Sequence, residues 1–256
     1  MRGLQPHKSR YWLHPKIEDE QEFTQRIEDI CEQYQQAREL ESNSSLHITS
    51  VDEKTQIQAK ESLKTTPMTQ HKPERLDTEY RRNGTTNLIA AMDISSGKII
   101  SQQMKSTRNA EDFLDHVKSI VDTAPNDQHI IICDQLNTHK SAILVKWIAK
   151  QINYKEDLGL ERESGILKSM VSRMQFLESK CNRIRFQFTP KHCSWLNQIE
   201  NWFSRLHRSV LSNGQFESVE KLKIDMLQYI DYYNKFLYKP INWSFSPEKF
   251  MEKIKV

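Results

Sequence analysis

The segment Gln128–Gln135, QHIIICDQ, constrains this chain more than any other stretch. It places three isoleucines and a cysteine in succession, with no polar residue to face water. So short an apolar, β-branched run reads as a strand buried on both faces. A strand of that kind needs helices on both sides, which points to a layered α/β fold. The flanking sequence supplies them. Residues 109–124 bring Phe113, Leu114, Val117, Ile120 and Val121 onto one helical face, and 141–151 group Ile143, Leu144, Trp147 and Ile148. The run ends at Asp134, and open α/β sheets gather their sites beyond the carboxyl ends of their strands.

The remaining elements follow from periodicity. Residues 17–40 predict a helix, acidic at its start and apolar at Phe23, Ile27, Ile30, Cys31 and Tyr34. LHITSVDEKTQIQA (46–59) reads as a strand, followed by a polar, proline-containing excursion over 60–83. Residues 86–104 predict two strands around an Asp-Ile-Ser-Ser-Gly turn. The charged stretch 152–182, with Gly159 and Gly165, reads as an insertion of helical pieces rather than core. RIRFQFTP (183–190) alternates as a strand does, and 194–211 and 217–237 predict two closing helices. Residues 1–16, basic and aromatic with prolines at 6 and 15, suit an extended connector. No internal repeat is visible.

Composition removes other classes. With 37% hydrophobic and 28% charged residues in 256, the chain suits one packed α/β domain plus an appendage, not a disordered polymer. No apolar run approaches the roughly 20 residues of a membrane span. The opening MRGLQPHKSRYW has no apolar leader, so the expected location is the cytoplasm. A net charge of +3 is weak evidence for a nucleic-acid partner. Cys31, Cys133, Cys181 and Cys193 form no CxxC pair, so neither a zinc site nor a disulfide framework is expected.

Three carboxylates stand where such a fold collects chemistry: Asp52 in the first strand, Asp134, and Glu200 on the helix after the last strand. At about 100° per residue, Trp195, Leu196, Ile199, Trp202, Phe203, Leu206 and Val210 form an apolar stripe, with Glu200 at its edge. Hard oxygen donors suit Mg²⁺, which keeps several waters and needs only two or three carboxylates. Two such ions activate a water or a 3′-hydroxyl and stabilise the departing oxygen at phosphorus. The plainer readings are a turn residue for each aspartate, a solvated Glu200 and a satisfied structural His139. On spacing and composition alone the chain is an intracellular α/β domain with candidate cation ligands.

The segments SVDEKTQIQA, RRNGTTNLIAAMDISSGKI, ICDQLNTHK, FTPKHCSWLNQIENWFS and KPINWS, in this order, resemble the DDE domain of mariner-like bacterial insertion-sequence transposases. The resemblance runs from about residue 8 to 248. It implies a ribonuclease-H-like, mixed five-stranded sheet flanked by helices, with a helical insertion before the last strand. It implies that Asp52, Asp134 and Glu200 are the catalytic, metal-binding triad, served by Mg²⁺ or Mn²⁺, two ions in all. The reaction implied is cut-and-paste transposition on transposon ends and a TA target, by a homodimer acting at the nucleoid. Asn137 and His139 are then expected to orient ligands or touch the scissile strand, and Lys191, His192 and Asn197 to contact phosphate. Arg81 and Arg82 are expected to clamp the DNA backbone.

The implied division is a linker and helix over 1–45, a catalytic domain over 46–240 that includes the 152–182 insertion, and a tail over 241–256. Three departures stand out. Asp134 and Glu200 lie 66 positions apart, a long separation for the family, and the extra length coincides with 152–182. Gln135 replaces the Asn that commonly follows the second aspartate. The chain also begins where the family's helix-turn-helix region should have ended, so a separate helix-turn-helix subunit is an expected partner. Two other readings remain: a non-catalytic remnant that regulates transposition by binding DNA or a transposase, and a structure-selective nuclease of the same fold.

Overall fold

The computed structural model describes residues 19–41, 44–63 and 65–247. The expected connector over 1–16 lies outside them. Seven strands and six α-helices are described: α1 (Glu20–Glu39), β1 (Leu46–Ser62), β2 (Thr65–Thr66), β3 (Arg75–Leu76), β4 (Tyr80–Asp93), β5 (Ile99–Lys105), α2 (Ala110–Val121), β6 (Gln128–Cys133), α3 (Ala142–Gln151), α4 (Met170–Leu177), β7 (Ile184–Phe188), α5 (Ile199–Leu206) and α6 (Val219–Tyr232). The main sheet has the order β5-β4-β1-β6-β7. β4 pairs antiparallel with β1 and with β5, while β6 pairs parallel with β1 and with β7. This is the mixed five-stranded sheet that the family resemblance implied.

Strand alternation divides the core between two faces. Val51, Ile89, Ile131, Cys133, Phe186 and Phe188 pack against α2, α3 and α4. On the other face Leu88, Ala90 and Met92 meet α5 and α6, and Ile48, Ile130 and Ile132 meet α1. Helix α1 thus shares a core with the sheet from which the boundary at residue 45 would divide it. Its start is fixed by Asp19, whose carboxylate accepts from the amides of Gln21 and Glu22, as an N-cap does. Trp243 of the KPINWS segment closes on the same cluster, with its ring 4.7 Å from that of Tyr34.

Three local expectations need correction. β1 continues to Ser62 and β4 begins at Tyr80, so both ends of the 60–83 excursion are strand, and only a two-stranded turn of β2 and β3 lies between them. The 152–182 insertion is helical where α4 runs, but Leu167, Phe176 and Leu177 are buried in the core beside β7. Charged residues around them mask this in the sequence, because so short a helix needs only a few apolar positions. Residues 194–211 are not one helix: a 3₁₀ turn (Ser194–Leu196) precedes α5, and a π turn (His207–Leu211) follows it. Asn197 is extended between the first two pieces (φ −85, ψ 107), which takes Trp195 off the apolar stripe and leaves it 39% exposed, while Trp202 is core.

β1 and β4 bend together as they leave the sheet. Their register slips between Lys54 and Ile57 and again between Gln58 and Lys60. Gln56, at φ 52, sits at the first slip, and Gly84, at φ 113, in the β4 segment opposite the second. Each bulge adds one residue to one strand, so the side chains beyond it change faces. Among the described residues no helix is long and apolar enough to cross a membrane.

Candidate active site

The parallel register of β1 and β6 aligns Ser50 with Ile132. Beyond that pair, Asp52 lies within β1, on the face that carries α5, and Asp134 follows directly on the end of β6. Glu200 enters from above, in the first turn of α5. The electrostatics register this convergence. Burial, and then the charges of Asp134 and Glu200, push the Asp52 carboxyl up to about 7. Glu200 is raised as well, by burial first, although Lys54 and a hydrogen bond with Asp52 offset part of the rise.

A small buried lattice joins β1 to the α5 segment. Ser50 Oγ accepts from the Ile199 amide at 2.9 Å and donates to Asn197 Oδ1. Asn197 Nδ2 donates to the Val51 carbonyl at 2.9 Å and to Asp52 Oδ2 at 3.1 Å. The other oxygen of Asp52 accepts from the Glu53 amide at 2.8 Å. Asn197 therefore sets the direction of the Asp52 side chain. The extended backbone at Asn197 is what turns its amide inward. Asn197 is wholly buried, and its amide holds the Asp52 carboxylate.

His139 does the corresponding work at Asp134. Its ring is wholly buried, stacked on Phe113 with centroids 4.0 Å apart. Nδ1 faces Asp134 Oδ1 at 2.8 Å, and Nε2 faces Glu53 Oε1 at 3.1 Å. Burial lowers the imidazole pKa, but the bonds to Asp134, Cys133 and Glu53 outweigh it and hold it well above its usual value. Both ring nitrogens thus face carboxylate oxygens, an arrangement that favours the protonated ring. Burial would raise Asp134, yet its bond to His139 and the Leu136 amide bring it below the ordinary carboxylate range. The fully buried ring lies behind Asp134, against its Oδ1.

Sequence reasoning missed Glu53. Its signal was present: a carboxylate between Val51 and Ile57 in a strand whose partner at that register is the buried Ile89. A charge at such a place demands a partner. Asn137, Lys191 and His192 are exposed near the strand ends, and Arg81 and Arg82 are exposed far out on β4. Those five are not drawn into the carboxylate cluster.

The donors present are all carboxylate oxygens, the class that Mg²⁺ and Mn²⁺ prefer. Two of the three have raised pKa values, the condition a cation relieves. Among the described residues no three His, Cys, Asp or Glu side chains already converge as a cation cage. The donor set fits a divalent ion whose shell is completed by water rather than by a closed protein cage.

The sequence profile of the DDE superfamily endonucleases matches residues 47–223. A comparison with curated proteins finds no match. Among solved structures, the chain aligns with a pre-cleavage Mos1 transpososome at 12% identity and a TM-score of 0.51, covering 100% of this chain and 67% of that one. It also aligns with the Mos1 Strand Transfer Complex at 14% identity (TM-score 0.49; 100% and 63% covered). A third match is the catalytic domain of Mos1 mariner transposase, at 13% identity (TM-score 0.47; 96% and 91% covered). The chain spans about two thirds of the length of the Mos1 chain in the two assemblies. At this level of identity the likeness concerns the fold, which is ribonuclease-H-like.

Proposed function

The chain belongs to the DDE superfamily of endonucleases, and we propose that it is the catalytic domain of a mariner-like DNA transposase. In this reading Asp52, Asp134 and Glu200 hold Mg²⁺ or Mn²⁺ and cut and join DNA strands. The observation that supports it is the mutual influence of three carboxylates: the charges of Asp134 and Glu200 both raise Asp52, and Glu200 is close enough to bond Asp52. When bound, a pair of divalent ions supplies the activated oxygen nucleophile and neutralises the departing one.

The protein's own groups do the positioning. Asn197 aims Asp52, and the Glu53–His139 pair aims Asp134 while leaving its second oxygen available. Glu200 completes the set from α5. Asn137, Lys191 and His192, exposed around the strand ends, are suited to hold the phosphates on either side of the reacting bond by hydrogen bond and charge. DNA is the substrate in this reading: transposon ends and a TA target, brought together by two copies of the chain. A separate helix-turn-helix subunit would supply end recognition. The place of action is the cytoplasm, at the nucleoid. Residues 46–240 would carry the chemistry, with α1 as part of the same folded unit.

The test is a strand-transfer assay with pre-cut transposon-end DNA, TA-containing plasmid and Mg²⁺ or Mn²⁺. Wild-type protein is expected to join the ends. Asp134→Asn is expected to abolish joining, with an unchanged circular-dichroism spectrum. Joining that survives in Asp134→Asn would refute the site.

A further inference from the structure

At the amino ends of β1 and β6 lies a cavity of about 490 Å³, lined by His47 and Thr49 of the first strand and His129 of the second. Asp134, by contrast, follows the carboxyl end of β6. We infer that this cavity binds a small organic amine, a protonated amino group carried on an apolar body. The site is separate from the reaction on DNA, and the inference does not depend on that reaction.

Register builds the wall. His47 pairs with His129, and Thr49 with Asp93, and alternation puts all four on the face that carries α2. The two imidazole rings stack with centroids 5.2 Å apart. Leu46, Ile100, Ile120 and Tyr238 supply the apolar part of the lining. The volume falls within the roughly 300–1,000 Å³ usual for small-molecule sites.

Two polar atoms of the lining residues have no partner. Thr49 and His129 are each 1% exposed, and among the described residues Thr49 Oγ1 and His129 Nδ1 form no hydrogen bond. A buried polar atom in that condition costs stability, and native folds keep few of them. The tautomer of His129 defines what is missing. Its Nε2 lies 2.9 Å from the Ala124 carbonyl, which only accepts, so Nε2 carries the proton. Burial lowers the pKa of the ring and keeps it neutral. Nδ1 is then a lone pair that only an N–H or O–H donor satisfies.

Charge narrows that donor to a cation. Glu41 and Asp93 line the cavity, and no lysine or arginine does. Asp93 gathers Ser95 Oγ, the Ser96 amide and Ser96 Oγ on Oδ2, and among the described residues its Oδ1 accepts no bond. Lys98 lies over the Tyr238 ring, with Nζ 4.4 Å from its centre, without itself lining the cavity. The carboxyl ends of α1 and α2 reach the wall through Leu40 and Thr123, and each brings the negative end of a helix dipole. A phosphate or carboxylate ligand meets charge of its own sign here. An ammonium meets the opposite sign at Asp93, and an apolar body covers Ile100 and Ile120.

The experiment titrates tryptamine into the full chain, with indole-3-propionate as the matched anion. Tryptamine combines an ammonium, an indole N–H and an apolar ring. By calorimetry it should bind with a Kd of about 1 mM or tighter, and the anion about ten-fold more weakly or not at all. In protein carrying isotopically labelled histidine, tryptamine should shift the His129 Nδ1 resonance, which reports whether that lone pair accepts a bond. Asp93→Asn should weaken tryptamine binding about ten-fold. Thr49→Val, nearly the same in shape, should be at least as stable as wild type, because it removes a buried unpaired hydroxyl. Equal affinity for amine and anion overturns the inference, as does binding that leaves His129 unmoved or survives Asp93→Asn intact. A marked loss of stability in Thr49→Val also counts against it, since the hydroxyl would already be satisfied. Binding of neither probe leaves the cavity to water and overturns it as well. The comparison of amine with anion uses wild-type protein alone, so it decides the matter even if a variant fails to fold.

Discussion

Two clusters of charge lie on the same strand, β1, and they obey opposite rules. Near its middle, Glu53, His139 and Asp134 are linked in a chain whose central ring has no contact with water. Seven residues on, Lys60 stands with Tyr80 and Arg82 of the neighbouring strand in solvent. In the first, desolvation makes every partner obligatory, because a lone buried charge costs several kcal/mol. In the second, water screens each charge, so the cluster contributes little to folding and stays available to a ligand. Burial turns charge into architecture, and exposure leaves it for binding.

The largest expected effect breaks the buried cluster. His139→Ala leaves Glu53 without its partner and removes the ring from Phe113, and should cost about 3–5 kcal/mol in chemical denaturation. Adding Glu53→Gln to that variant should recover part of the loss, since the stranded charge is gone. A cost below about 1 kcal/mol, within the range of surface substitutions, would mean that the pair is not a buried imidazolium bridge.

Glu53→Gln alone keeps the shape and removes one charge. If the pair positions Asp134, Mn²⁺ affinity followed by electron paramagnetic resonance should weaken by about 10- to 100-fold, the usual effect of losing a group behind a metal ligand. Thermal stability should fall far less than in His139→Ala. Unchanged Mn²⁺ affinity would assign Glu53 to folding only.

The smallest effect lies in the exposed cluster. Lys60→Ala should change folding stability by no more than about 0.5 kcal/mol, and in the favourable direction at low salt, where like-charge repulsion from Arg82 is least screened. Marked destabilisation would show that these charges are structural after all, and would erase the contrast between the two regions.

Much of this was legible from pattern. Ile130–Cys133 read correctly as a strand buried on both faces, and the amphipathic runs of α2 and α3 were found where the sheet needs them. Asp134 at the end of that strand could be marked as a candidate before any contact was known. The misreadings have one cause. Where backbone geometry changes over one or two residues, periodicity misleads: Asn197 interrupts a helix, and the bulges near Gln56 and Gly84 carry two strands into a segment rich in polar residues. Glu53 went unnoticed because a charged residue next to Asp52 looks like ordinary surface until His139 is brought over it.

Local pattern alone is enough to specify the α/β layering, the order of the main elements and three carboxylates at plausible ends. These are properties of single segments, set by side-chain period and by which residues avoid water. Which carboxylates meet and which histidine is buried between two of them were decided by tertiary structure. Asp52 and Glu200 are 148 positions apart in the chain, and their meeting depends on sheet register and on the entry angle of α5. Those are set by packing of the whole core, in which no single segment carries the information.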